Sequence, residues 1–231
     1  LAVGAPDDIL WSPTNALKFW ERRDVVEINE ALMGARVAAA HGPKWVQWGF
    51  EGAAAATGAA EARFSAAAAG VVAKLDAYGP WVTKDPRMCL LAREWIALCS
   101  APVCVRVERD ADEWAWSTFR FSARTFQDGA LALTLAEWRA AHAVYVDRAA
   151  AACRGRPSLA VSHAELMRRP RATIAKMRDA LAALGVEGLA ATPARATTER
   201  LLRELGPDDD VDGGPTVVSS SEATELTRPL R

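Results

Sequence analysis

Residues 81–91, Trp81-Val82-Thr83-Lys84-Asp85-Pro86-Arg87-Met88-Cys89-Leu90-Leu91, decide the reading of the fold. A short apolar, β-branched run stops at Lys84, and Asp85-Pro86 then supplies an N-cap with proline at the first helical position. The order is strand, turn, helix, and it recurs downstream. The helix predicted from Arg87 to Ser100 stops before Pro102, and Val103-Cys104-Val105-Arg106-Val107 carries the strongest strand signal in the chain. Another helix is predicted from about Asp112. A long one follows from Asp128 to Cys153, with Leu131, Leu135, Trp138, Ala141 and Tyr145 on its buried stripe. Ser158 to Val161 is a third strand, and Ser162-His163-Ala164-Glu165 has the Ser-x-x-Glu form that opens a helix. Strands alternate with helices, so the pattern predicts an α/β fold: a parallel sheet flanked by helices on both faces.

Upstream, Val25, Ile28, Leu32 and Val37 recur at helical spacing between Arg22 and Ala40, and an alanine-rich helix runs from Ala59 to Tyr78 until Gly79-Pro80 stops it. Residues 1–20 read as an irregular lead-in. Downstream, a helix from Ala172 to Leu184 is closed by Gly185, and a shorter one is expected near Thr197 to Leu205. Residues 1–205 therefore form one domain, and the Asp-, Gly- and Ser-rich stretch 206–231 reads as a flexible tail.

Composition narrows the function. The 231 residues carry 28 Lys and Arg against 29 Asp and Glu, a net charge of −1, so no global basic field draws the chain to nucleic acid or to an anionic membrane. A charged ligand must be met locally. No run of about 20 apolar residues is present to span a bilayer, and no signal peptide is read, which predicts a cytoplasmic protein. Cys89, Cys99, Cys104 and Cys153 show no Cys-x-x-Cys pair and no histidine cluster. They predict neither a metal site nor a disulfide framework, and read as buried thiols in a reducing compartment.

In open parallel sheets ligands sit beyond the carboxyl ends of the strands. Lys84 follows the first strand, Glu108-Arg109 the second and Ser162-His163 the third. Two cations beside helix N-termini make a place for a ligand with several phosphate-like groups. Arg109 and Ser117, eight residues apart, can share one phosphate, the arginine as a charged fork and the serine as a hydroxyl donor. By spacing alone the pair also fits a surface arginine and an ordinary helix serine.

Four stretches add context. Trp81-Val-Thr-Lys-Asp-Pro-Arg-Met-Cys-Leu-Leu91, Val105-Arg-Val-Glu-Arg-Asp-Ala-Asp-Glu-Trp-Ala-Trp-Ser117, Ala130-Leu-Ala-Leu with Trp138, and Ala160-Val-Ser-His-Ala-Glu-Leu-Met-Arg-Arg-Pro170 resemble, in order, motifs of the bacterial PAPS-dependent sulfotransferases. Pro6 to Leu10, Asn15, Phe19-Trp-Glu-Arg22 and Val26-Glu-Ile-Asn-Glu-Ala-Leu32 look like the family's N-terminal stretch, so the resemblance covers about residues 1–190. It implies a P-loop NTPase-like sulfotransferase fold that moves a sulfuryl group from 3′-phosphoadenosine 5′-phosphosulfate (PAPS) to an acceptor hydroxyl or amine, without a metal. Arg109 and Ser117 match positions that grip the 3′-phosphate, and His163 stands where the family usually has a tyrosine near the adenine. Lys84 matches a lysine near the sulfuryl group, and Glu21 a carboxylate that takes the acceptor's proton. Each has a plainer reading: Lys84 a solvated strand end, Glu21 a first-turn helix acid, His163 a neighbour of the capping Ser162. The acceptor is expected to be a small molecule, carbohydrate or lipid. Trp45, Trp48, Phe50 and Phe64 fit either its pocket wall or a plain core.

The chain departs from the family pattern in two ways. The family's first strand and its Arg-Ser-Gly-Thr-Ser-like loop, whose amides cradle the 5′-phosphosulfate, have no counterpart in residues 1–231, so the fold is expected to be N-terminally incomplete. Asp112 adds negative charge close to Arg109, which works against a phosphate there. A catalytically inactive binding or assembly module on the same scaffold is the alternative. A P-loop kinase is disfavoured because no Gly-Lys-Ser/Thr sequence occurs.

Overall fold

A computed structural model describes residues 8–10, 21–40, 58–125 and 133–189 of the protein. The expected helix at 197–205, the tail 206–231 and the aromatics Trp45, Trp48 and Phe50 lie outside the described residues.

Three helices build the first half. In α1 (Arg23–Ala40) the buried positions Val25, Asn29, Leu32 and Met33 fall on one face at helical spacing. α2 (Gly58–Asp76) buries Ala60, Phe64, Ala68, Val71, Val72 and Leu75, and its small residues let it lie close against α1. α3 (Met88–Ile96) adds Leu91 and Trp95 to the same core. The Phe64 ring meets Trp95 edge to face, with centroids 5.7 Å apart, so Phe64 belongs to this core and not to an acceptor wall. Arg36 fastens the three helices from the rim, reaching Glu61 of α2 at 2.9 Å and Glu94 of α3 at 2.5 Å.

The second half holds the sheet. β1 (Cys104–Glu108) and β2 (Ser158–Ser162) pair in parallel, Cys104 opposite Ser158 and Glu108 opposite Ser162. The crossover between them contains α4 (Ala111–Thr125) and α5 (Leu135–Cys153), and β2 leads into α6 (His163–Arg168) and α7 (Pro170–Ala183). Asp110 opens α4, its Oδ1 accepting from the backbone N–H of Asp112 and Glu113, both at 3.0 Å. These bonds hold its carboxyl below the usual carboxylate range. Thr134 opens α5 with a full capping box to Glu137, and α5 packs on both α3 and α4, which joins the two halves. Trp138 of α5 is wholly buried, and Trp114 of α4 lies against Trp138, His142 and Tyr145 at 5.4 to 5.9 Å between centroids.

Several expectations need correction. The α/β class with a parallel sheet holds, but among the described residues the sheet has two strands, not three. Trp81-Val82-Thr83 has strand-like composition yet forms no ladder among the described residues: its extended run carries one bridge position, at Trp81, whose indole N–H donates to Asp76 Oδ1 at 2.7 Å. Composition supplies a preference for strand, and a ladder needs a partner edge. The sheet is not covered evenly either. Residues paired in a parallel ladder share a face, so Val105, Val107, Leu159 and Val161 point the same way; α6 and α7 pack against β2 and Val161 is buried, whereas Val105 and Val107 are 42% and 60% exposed. The helix predicted from Asp128 starts at Leu135, and the one predicted to Ser100 ends at Ile96.

The cysteine reading also fails in part. Cys104, opening β1, and Cys153, closing α5, form a disulfide with Cα atoms 6.0 Å apart, while Cys89 and Cys99 are free. The pair lies 49 residues apart in sequence, and only the return of α5 to the foot of the sheet brings its members together. Burial pushes both free thiols above their usual range, which lowers their reactivity. Among the described residues no helix is long and apolar enough to cross a membrane, and no group of three His, Cys, Asp or Glu could hold a metal ion.

Candidate functional site

The chemistry-bearing residues gather in two places. At the first, Glu21 stands just ahead of α1, where the chain is pinned by the Ile9–Arg22 bridge and by the backbone bond from Leu10 N to Glu21 O at 2.8 Å. Arg22 locks this entry with ion pairs to Asp24 at 2.7 Å and Asp8 at 3.3 Å. Glu21 is therefore not a first-turn helix acid; Asp24 takes that role. Its side chain is 4% exposed, and Oε1 meets the ammonium of Lys84, 63 residues away in sequence. Lys84 is half exposed. The pair is an acid held inside the protein with a cation that reaches it from solvent.

The turn after Lys84 explains why that cation stays there. Asp85 Oδ1 accepts from the backbone N–H of Arg87 at 2.8 Å, and the Asp85 carbonyl accepts from Met88 N at 2.9 Å. An Asx-type turn thus feeds α3, but the expected cap shifts: the helix starts at Met88 with Arg87, not Asp85, at its N-cap, and Pro86 lies in the turn ahead of it, because the Asp85 carboxylate is taken up by Asn29 and Arg87.

The second place is the carboxyl end of the sheet. Glu108 and Ser162 are in register, so Arg109 and His163 leave adjacent parallel strands at one level. Arg109 Nε is buried and has no hydrogen-bond partner among the described residues; Glu113 Oε2, one helical turn on, is 3.7 Å away, too far for a hydrogen bond. Ser117 lies four residues beyond Glu113 on α4, hence on the same helix face one turn further. Asp112, whose charge threatened a phosphate at Arg109, is instead engaged by Arg139 of α5 at 2.5 Å. Arg109 and His163 offer an incompletely satisfied guanidinium and an imidazole to an anion, with the Ser117 hydroxyl a turn further along α4.

Burial, then the Arg109 charge, hold the His163 imidazole below its usual value of 6.5, with Glu113 opposing. Folded protein releases this proton more readily than unfolded chain, so between the two pKa values the unfolded chain binds more protons and stability rises with pH. His163's contribution is complete above 6.5 and is lost as the pH falls from there to the lower folded value. Urea midpoints should accordingly drop between neutral and mildly acidic pH, and His163→Gln should flatten that segment. An unchanged slope in the variant removes His163 from the pH dependence.

α5 lies between the two places, packed on both α3 and α4. Its Tyr145, whose hydroxyl is pushed far up by burial, touches Trp114 of α4. Sequence reasoning missed Asn29 and Asp85, which prove to be buried and bonded to each other. Asn29 left a signal: a polar residue on the buried stripe of α1, between Val25 and Leu32, needs a partner.

Comparison with family models, with curated proteins and with solved structures returns no match to this chain.

Proposed function

We propose that this chain is the scaffold of a sulfotransferase with a P-loop-type fold, moving a sulfuryl group from PAPS to an acceptor hydroxyl or amine. The observation that carries the reading is the meeting of Glu21 and Lys84, two residues that sequence motifs select independently for the reaction centre. The anion-ready cluster of Arg109, Ser117 and His163 at the carboxyl end of the parallel strands supports it.

In the transfer, the acceptor oxygen or nitrogen attacks sulfur and passes its proton to Glu21. The bond from sulfur to the bridging oxygen of the donor breaks, and the electron pair remains on the leaving phosphate, where the Lys84 ammonium offsets the charge. The transition state is loose by analogy with phosphoryl transfer, so positioning and electrostatics supply most of the acceleration. The ion pair couples the two events: once Glu21 takes a proton it no longer holds the ammonium, which is then free to follow the leaving oxygen.

Arg109→Ala is expected to weaken binding of adenosine 3′,5′-bisphosphate by about tenfold or more, the scale of a lost charged hydrogen-bond partner. Isothermal titration checks this, and equal affinity for both proteins would sink the site. The open face at Val105 and Val107 favours a second reading, a non-catalytic binding or assembly module. Its mark is a folded chain whose melting temperature does not respond to the bisphosphate.

A further inference from the structure

Taking Lys84 and Glu21 as the reaction centre proposed above, the geometry points to Asn29, Asp85 and Trp95 as positioning residues that set where the Lys84 ammonium stands relative to Glu21. Asp85 directly follows Lys84, and its side chain is fully excluded from solvent. It is an acid on a loop, deep in the protein, bonded to α1 and to its own turn and, through Asn29, linked to α3. Asp85 Oδ2 accepts from Asn29 Nδ2 of α1 at 2.9 Å, and Asn29 Oδ1 accepts from the Trp95 indole of α3 at 2.8 Å. Asp85 Oδ1 takes the backbone N–H and the guanidinium of Arg87, at 2.8 and 3.0 Å, and Arg87 reaches back to Glu30 of α1 at 2.5 Å.

The donors and acceptors run in one direction only. Indole N–H can only donate, so Asn29 must turn its oxygen to Trp95 and its amide N–H to position 85, which must therefore be an acceptor. α1 begins two residues after Glu21, and position 85 adjoins Lys84. The Asn29–Asp85 bond thus ties the segment carrying the acid to the segment carrying the cation. A buried apolar contact would hold the same elements together without fixing their register, because dispersion contacts are not directional. Hydrogen bonds between buried partners do fix it.

Competitive labelling with trace acetic anhydride, read lysine by lysine by mass spectrometry, tests this without any sulfuryl transfer. Lys176, paired with Glu165 at 3.1 Å on the far surface helices, is the internal reference. In Glu21→Gln the Lys84 labelling relative to Lys176 should rise by about tenfold, the worth of one charge-assisted hydrogen bond. If it does not move, the Glu21–Lys84 contact itself fails, and the reaction-centre reading falls with it. In Asp85→Asn a single oxygen must serve both Asn29 and Arg87, so whichever way the new amide turns a donor meets a donor, and turning Asn29 over only moves the clash to Trp95; Lys84 labelling should rise as in Glu21→Gln. The exchange variant Asn29→Asp with Asp85→Asn restores the order of donors and acceptors, and its labelling should return to within about twofold of native. A folded Asp85→Asn protein with native labelling, or an exchange variant labelled like Glu21→Gln, overturns the positioning role while leaving the ion pair intact. Should Asp85→Asn not fold, the exchange variant alone decides.

Discussion

Lys84→Met is expected to lower sulfuryl transfer by about 10²–10³-fold, the cost of removing one preorganised charge stabiliser from a transition state. Affinity for adenosine 3′,5′-bisphosphate should fall by less than the rate: its 5′-phosphate is the leaving group that Lys84 faces, while its 3′-phosphate is held by the Arg109 cluster. The reason for so large a loss is that the leaving phosphate gains its negative charge as the bond to sulfur breaks, and Lys84 is the cation placed against the acid that starts the step. Lys84→Arg separates charge from geometry. It keeps a cation beside Glu21 but spreads it over a planar fork, so activity should fall in between. Glu21→Gln removes the proton acceptor while keeping the side chain's volume, and should lose activity most steeply for acceptors whose proton is hardest to release. The measurement is transfer of labelled sulfate from PAPS to a panel of phenolic, carbohydrate and lipid acceptors. Equal rates for native and Lys84→Met protein on any responsive acceptor would remove Lys84 from the chemistry.

The disulfide carries the largest effect on stability. Closing a loop of 49 residues removes chain entropy from the unfolded state worth about 4 kcal/mol in the loop-closure model. Cys104→Ala with Cys153→Ala should lower the unfolding free energy by about that amount, and a domain of this size should melt roughly 10 °C earlier. The loop contains all of α4 and α5, so the loss falls on the half that holds Arg109 and His163. Thiol titration of the denatured, unreduced protein should find two groups, Cys89 and Cys99, and four after reduction. Four thiols without reductant, or an unchanged urea midpoint in the double variant, would show that the pair adds nothing to the fold.

The features legible in the sequence are those governed by neighbours along the chain. Apolar spacing located α1, because burying one helix face requires a repeat of three to four residues, and alanine content with the Gly79-Pro80 stop located α2. Strand composition located β1 and β2 within a residue or two. Ser162 caps α6, accepting from Glu165 N at 3.2 Å, because capping spans three residues and so can be read from three residues. The placing of Arg109 and His163 at strand ends follows from the same local readings combined with the parallel order.

What only the tertiary structure decided are the pairings across tens of residues. Periodicity says which face of α1 is buried but not which loop lies against it, so the Asn29–Asp85 bond was not legible in the sequence. Trp81 to Thr83 has the composition of a strand, yet composition cannot supply the neighbour that a ladder requires. Asp112 looked adverse to an anion at Arg109 until the packing of α5 on α4 brought Arg139 to it. Cys104 and Cys153 lacked any recognisable spacing because the path of α5, not the count of residues, sets their separation. Local bonding is written in adjacent residues; the meeting of distant ones depends on how whole faces dock, and that is settled by packing.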